Sequence, residues 1–135
     1  LEQGQLCFEI TEHAIMKYTR STLVFMAAAR QRGVTFALDD FGSGYASFGT
    51  LREFNFEYIK LGSSLIEDIS QNQTLLTMVK SIQTMAAALG AKTVAEYASS
   101  EAIRQTLYDI GVDYIQGNHT APAAELLNFL PNAQE

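Results

Sequence analysis

Short apolar runs, rich in β-branched and aromatic residues, recur at residues 6–10, 34–38, 56–60, 91–95 and 112–115. Within each run the apolar residues sit on successive positions instead of alternating, as they do in strands that helices cover on both faces of a parallel sheet. Between the runs the period changes. Leu75, Val79, Ile82, Ala86 and Leu89 fall on one helical stripe, and Ile103, Leu107 and Ile110 on another. Gly33, Gly90 and Gly111 each stand just before an apolar run, where a glycine takes the left-handed conformation that ends a helix. A helix over residues 11–20 is also expected, with its period interrupted by Tyr18-Thr-Arg-Ser-Thr22. Phe48, Phe54 and Phe56 read as core or packing residues. The pattern predicts five strands separated by helices, a βα series of the α/β class.

Polar side chains cluster where the strands should end. Glu9 sits late in the first, Asp39 and Asp40 close the second, Lys60 the third, Glu96 the fourth and Gln116 the fifth. In a parallel βα array these ends share one face, and that face carries the active site in barrels and open sheets alike. Four carboxylates would repel one another without cations, so oxygen-preferring divalent metals are their natural partners. The adjacent Asp39 and Asp40 suit a two-metal site, in which one carboxylate bridges and the other holds the second ion. Each acid taken singly could instead cap the next helix, and Lys60 taken alone could be a solvated strand end. His13 and His119 fall at no strand end and read as surface or packing residues. The glycines of Asp39-Asp-Phe-Gly-Ser-Gly44 do not match the dinucleotide-binding spacing and suggest a tight, mobile loop after the acid pair.

Composition narrows the class. The chain has 135 residues, 47% hydrophobic and 18% charged, which is the balance of one globular domain. Nine Lys and Arg against fifteen Asp and Glu give a net charge of −6, which argues against gripping a nucleic-acid duplex through its phosphates. The single cysteine, Cys7, excludes an internal disulfide and a cysteine-based zinc site. No apolar run approaches the roughly 20 residues that cross a bilayer, and no basic-then-apolar segment opens the chain. Cytoplasmic folding is the expectation, with any membrane anchor left to another region of the parent protein.

Five segments together carry a family resemblance: Glu9-Ile-Thr-Glu12, Ala37-Leu-Asp-Asp-Phe-Gly-Ser-Gly-Tyr45, Tyr58-Ile-Lys60, Thr93-Val-Ala-Glu96 and Asp113-Tyr-Ile-Gln-Gly117. In order and spacing they resemble the EAL-domain cyclic di-GMP phosphodiesterases, over residues 6–130, the later part of that domain. The resemblance implies a (β/α)₈ barrel, here about five βα units, that hydrolyses a phosphodiester of cyclic di-GMP with two Mg²⁺ or Mn²⁺ ions. It implies Glu9 as a ligand of the first metal, Asp39 as the bridging ligand, and Asp40 and Glu96 as ligands of the second. Lys60 would orient the attacking water, and Gln116 would support the far side. Glu12 would anchor the loop of Phe41, Gly42, Ser43 and Gly44.

The chain also departs from that pattern. The Glu-Ala-Leu signature and an Asn ligand of the first metal are not among these residues, the resemblance placing both before Leu1. Lys-x-Asp appears as Lys60-Leu-Gly62, a Glu is replaced by Ser99, Gln-Gly-Tyr becomes Gln116-Gly-Asn118, and Ala121 precedes Pro122. Losses around a metal's ligands typically weaken its site 10–100-fold. The expectation is a cyclic di-GMP signalling domain impaired in hydrolysis, acting in nucleotide binding or regulation. A phosphodiesterase completed by the rest of the domain, and a protein-interaction module on the same scaffold, are the alternatives. Open edges at the first and last strands, with apolar inner faces, predict self-association or pairing with the remainder of the domain. GGDEF or sensor domains are expected companions in the parent chain.

Overall fold

The computed structural model describes residues 2–42, 44 and 46–116. The readings made at Ser43, Tyr45, Gly117, Asn118, His119, Ala121, Pro122 and Pro131 lie outside them. Five strands form one sheet: β1 (Cys7–Thr11), β2 (Thr35–Phe41), β3 (Tyr58–Leu61), β4 (Lys92–Ala95) and β5 (Tyr114–Ile115). They lie in chain order, and every neighbouring pair is parallel. A doubly wound sheet reverses its strand order partway across, whereas an unbroken sequential order is that of a barrel wall. The expected α/β class and partial barrel are both present.

The helices are α1 (Glu12–Lys17), α2 (Thr19–Arg30), α3 (Phe48–Phe54), α4 (Ser63–Ile66), α5 (Gln73–Leu89) and α6 (Glu101–Ile110). Side-chain oxygens cap four of them: Thr11 accepts from Ala14 N, Ser47 from Thr50 N, Asn72 from Leu75 N and Ser100 from Ile103 N. Each such bond satisfies an amide that the first turn leaves without a partner. Gly90 and Gly111 end α5 and α6 in the left-handed conformation, as their positions predicted. α2 ends differently: Gln31 caps it in right-handed geometry, and Gly33 turns the chain two residues later. The interrupted period at Tyr18 is a true break. Its φ of −125° and ψ of 45° leave the helical region, so two helices stand where one was expected. α4 was not foreseen, because four residues are too few to display a period.

Two apolar clusters fill the space between sheet and helices. One joins Ile59, Leu61, Ala95, Leu65, Ile66, Val79, Ala86, Ile103 and Leu107, drawn from β3, β4, α4, α5 and α6. The other joins Phe36, Leu38, Ile15, Met26, Leu51, Phe54 and Phe56 around β2, α1, α2 and α3. Phe54 and Phe56 stack at 5.9 Å, but Phe48 lies on the surface, 51% exposed, because α3 turns that face outward. Since side chains alternate along a strand, Phe36, Leu38, Ile59, Leu61 and Ala95 face the helices while Thr35, Ala37, Asp39, Tyr58 and Lys60 face the other way. The inner face is therefore more polar than expected. Large exposed apolar side chains such as Phe25, Val24 and Met16 lie on the helices instead.

At the N-terminal end of the strands Arg30 clasps neighbouring elements. Its guanidinium donates to Phe54 O at 2.9 Å and Asn55 O at 2.6 Å, and Glu57, which pairs with it at 3.4 Å, accepts from Phe36 N at 2.6 Å. In barrels that end serves stability, leaving the opposite end for chemistry. The packing yields a contrast between neighbours. Leu107→Ala should cost about 2–5 kcal/mol, since the side chain is fully buried. Tyr108→Ala, 77% exposed, should stay within about 0.5 kcal/mol. Urea denaturation of both variants checks this, and equal midpoints would contradict the assignment of the α6 face.

Candidate functional site

Lys60 is the third residue of β3 and is only 4% exposed. Its Nζ lies 2.6 Å from Glu9 Oε1 on β1, 3.1 Å from Glu96 Oε1 just past β4, and 3.8 Å from Asp39 Oδ1 on β2. Parallel pairing brings them together, for alternate residues of four adjacent strands project from one face. An isolated buried ammonium costs several kcal/mol, so its placement here requires the surrounding carboxylates. Burial pulls the Lys60 pKa down, but the hydrogen bonds it donates to Glu9 and Glu96 more than reverse this, leaving it raised and the amine charged.

Three carboxylates around one ammonium leave an excess of negative charge. Its effect falls on Glu96, whose pKa is pushed up to about 7, first by burial and then by a hydrogen bond with Asp39, against the opposing pull of Lys60. Glu96 thus holds a proton near neutrality, as a half-buried carboxyl beside another acid does when cations are too few.

Glu12 begins α1 yet is 2% exposed. Its Oε1 accepts from Gly42 N at 2.7 Å and its Oε2 from Ala46 N at 3.1 Å, tying the segment after β2 to α1. Gly42 has φ +116°, and a Cβ there would press to within 2.6 Å of Leu65 Cδ1, so both its conformation and its space require glycine. Gly44 is exposed with φ +96°. Phe41, expected in the loop, is instead the last residue of β2 and packs against both apolar clusters.

Asp40 stands apart. The register between β2 and β3 slips between Leu38 and Phe41, and Asp40 takes φ +54° within that irregularity. It forms no ion pair with Lys60, and its carboxylate rests against Gly62. Gln116 follows β5; its Oε1 is buried without a hydrogen-bond partner among the described residues, while its N donates to Ala95 O at 2.7 Å. His13 is exposed. Thus Glu9, Asp39, Lys60 and Glu96 converge, Glu12 holds the adjoining loop, and Asp40 sits at the rim.

Two participants were not legible. Gly62 showed itself only as a missing carboxylate, not as a neighbour of Asp40. Tyr97, beside Glu96, takes φ +63° while the amides on either side are pinned, Glu96 N to Leu61 O at 3.2 Å and Ala98 N to Gln116 O at 3.1 Å. A tyrosine carries no sequence signal for a left-handed backbone.

A buried lysine ringed by acids thus stands at the C-terminal ends of sequentially ordered parallel strands, the end that carries the site in barrels of this kind. The EAL domain family model matches residues 1–123, and the chain belongs to that family. It is 38% identical over 112 residues to the cyclic di-GMP phosphodiesterase PdeB of Shewanella oneidensis, an alignment covering 83% of this chain and 13% of that protein. Among solved structures it superposes on the PaMucR phosphodiesterase in complex with c-di-GMP at TM-score 0.81 and 29% identity, covering 93% of this chain and 52% of that one. It also superposes on Klebsiella pneumoniae BlrP1 in a manganese and cy-diGMP complex at TM-score 0.82 and 29% identity, over 87% of this chain and 30% of that one. The chain therefore spans about half, or less, of each relative's length.

The family depends on metal, and the donor set here fits a hard divalent cation: carboxylate oxygens alone, with Asp39 and Glu96 short of positive charge. Among the described residues, however, no three acids, histidines or cysteines are grouped closely enough to hold an ion as the side chains stand. Lys60 occupies the middle of the cluster and balances part of its charge from within.

The proton held by Glu96 sets a pH dependence. A carboxyl whose pKa rises from 4.5 in the unfolded chain to about 7 in the folded one stabilises the fold fully below pH 4.5, and that stabilisation is lost as pH rises through 7. Metal-free protein should lose on the order of 1–3 kcal/mol from this group between pH 5 and 8. Glu96→Gln should flatten the fall in Tm over that range, and parallel curves would refute the assignment. Glu12→Ala, which removes the acceptor of the Gly42 and Ala46 amides, should cost about 1–3 kcal/mol and speed hydrogen exchange at those two residues first.

Proposed function

We propose that this chain forms the Lys60-centred part of an EAL domain that recognises cyclic di-GMP and is impaired in hydrolysing it. The observation that carries this reading is the convergence of Glu9, Asp39 and Glu96 on Lys60 at 2.6–3.8 Å. That arrangement supports an anionic phosphodiester ligand only when further cations enter, because three carboxylates would otherwise repel it. Glu9, Asp39, Asp40 and Glu96 would hold Mg²⁺ or Mn²⁺. Such ions, when bound, supply positive charge to the phosphate oxygens and sharpen an attacking water.

This chain's own side chains do the remaining work. Released from its carboxylates, Lys60 Nζ donates hydrogen bonds to the attacking water and holds it in line. Glu96, with a pKa of about 7, takes up or gives back a proton near neutrality, the range in which acid–base transfer is most effective. Impairment follows from what surrounds them. Gly62 and Ser99 supply no carboxylate to place further charge, and Asp40 is turned away from Lys60.

The test compares binding with turnover. Incubated with cyclic di-GMP and Mn²⁺, the chain should retain the nucleotide in equilibrium dialysis and release no linear dinucleotide above buffer. Release abolished by Glu96→Gln would overturn the impairment. The intact Glu9, Asp39, Asp40 and Glu96 favour a second reading, hydrolysis by the longer polypeptide. The same assay on that polypeptide separates the two. Calorimetry with Mn²⁺ should give binding in the millimolar range, weakened in Asp39→Asn. Identical heats for the two proteins would remove the metal site.

A further inference from the structure

Tyr97 takes a strained backbone beside the site. Its φ of +63° is left-handed, a conformation that strains a bulky residue and leaves glycine free. The fold imposes the turn from both sides. Glu96 N donates to Leu61 O at 3.2 Å, Ala98 N donates to Gln116 O at 3.1 Å, and Ala98 is fully buried in the same apolar cluster as Leu61 and Ala95. The chain therefore turns sharply at position 97 whichever residue stands there. A tyrosine in that place costs stability that a glycine would not.

The ring recovers little of this cost within the fold. Tyr97 is 52% exposed, and among the described residues its ring meets no other ring or cation and its hydroxyl no hydrogen-bond partner. Its place in the chain is equally specific. Ile10, Asp40, Leu61 and Tyr97 directly follow the four side chains that converge at the site, and only Tyr97 is aromatic. It is rooted one Cα step, about 3.8 Å, from the residue whose carboxylate lies 3.1 Å from Lys60 Nζ. Strain retained at such a position marks a contact that the fold itself does not make.

A half-exposed aromatic face suits a flat, π-rich group, and a cyclic dinucleotide carries two, one beside each phosphodiester linkage. We propose that Tyr97 is a ligand-binding residue of this site: its ring stacks on one guanine of cyclic di-GMP and so fixes the nucleotide relative to the Lys60 cluster. The proposal rests on the reading of this chain as a cyclic di-GMP domain, and the experiment separates the two. Equilibrium dialysis with cyclic di-GMP and Mn²⁺ is run on the full chain and on Tyr97→Phe, Tyr97→Leu and Tyr97→Gly. Tyr97→Phe keeps the ring face and should keep the wild-type affinity, whereas Tyr97→Leu and Tyr97→Gly should each lose about tenfold. Wild-type affinity in Tyr97→Leu, or an equal loss in Tyr97→Phe, would overturn the proposal alone. No retention by the wild-type chain would sink the cyclic di-GMP reading and the proposal with it.

Two further readouts test the contact and the strain. The chain has no tryptophan, so Tyr97→Trp places its only indole at the proposed contact. Titration with cyclic di-GMP in Mg²⁺ should quench that emission, and an unchanged spectrum at saturation would show that no base reaches position 97. Thermal unfolding without nucleotide should find Tyr97→Gly a few degrees higher in Tm than the wild type, although it binds more weakly. A lower Tm would show that the ring serves the packing of the fold instead of a ligand, and would overturn the proposal.

Discussion

The structure of the site depends on one buried charge. Lys60 lies almost wholly out of water with its ammonium 2.6–3.8 Å from carboxylates on β1, on β2 and just past β4. Removing Lys60 would leave three close carboxylates without a cation, and removing all of them would strand its ammonium, either of which costs more than an ion pair gains at a surface. The requirement couples β1, β2, β3 and the end of β4, since none of their acids can leave without affecting the others. It also accounts for the raised pKa of Glu96, because three carboxylates exceed what one ammonium balances.

The rest of the fold serves that arrangement. Helix-facing positions of β2, β3 and β4 are packed into two apolar clusters that fix the strands in register. Arg30 locks the N-terminal ends by binding the carbonyls of Phe54 and Asn55, so that the C-terminal ends are free to carry polar groups. Glu12 extends the order beyond the sheet, holding the backbone of Gly42 and Ala46 against α1. Left-handed residues gather at the same end. Asp40 and Tyr97 follow Asp39 and Glu96 directly, turning the chain sharply where strand geometry gives way to the site.

EAL relatives share this scaffold, and the likeness to the cyclic di-GMP complex of PaMucR extends across 93% of the chain. What distinguishes this chain is local. The carboxylate of Asp40 lies beside Gly62, where the family pattern has an aspartate. The site is divided into an inner group, its charge partly balanced by Lys60, and an outer acid at the rim.

Much of this was legible in the amino-acid order. Parallel strands advertise themselves by apolar runs, helix ends by glycines such as Gly90 and Gly111, and strand-end acids by their place in the pattern, because all three depend on contacts a few residues long. The same locality explains the misses. α4 is shorter than a period, and the split at Tyr18 lay at an interruption that did not say whether one helix or two would form. The polar inner face was hidden because β2 and β3 carry apolar residues on both sides of Asp39 and Lys60. Which acids would meet Lys60, and which would not, is a matter of strand register and one backbone irregularity between residues 38 and 41. The contact of Asp40 with Gly62 joins positions 22 residues apart, and no local signal encodes a closeness that exists only once β2 and β3 lie side by side. Sequence alone determined the family, the class of fold and the chemical types at the strand ends; tertiary structure decided how those charges are paired, because pairing depends on distances that only the packed sheet creates.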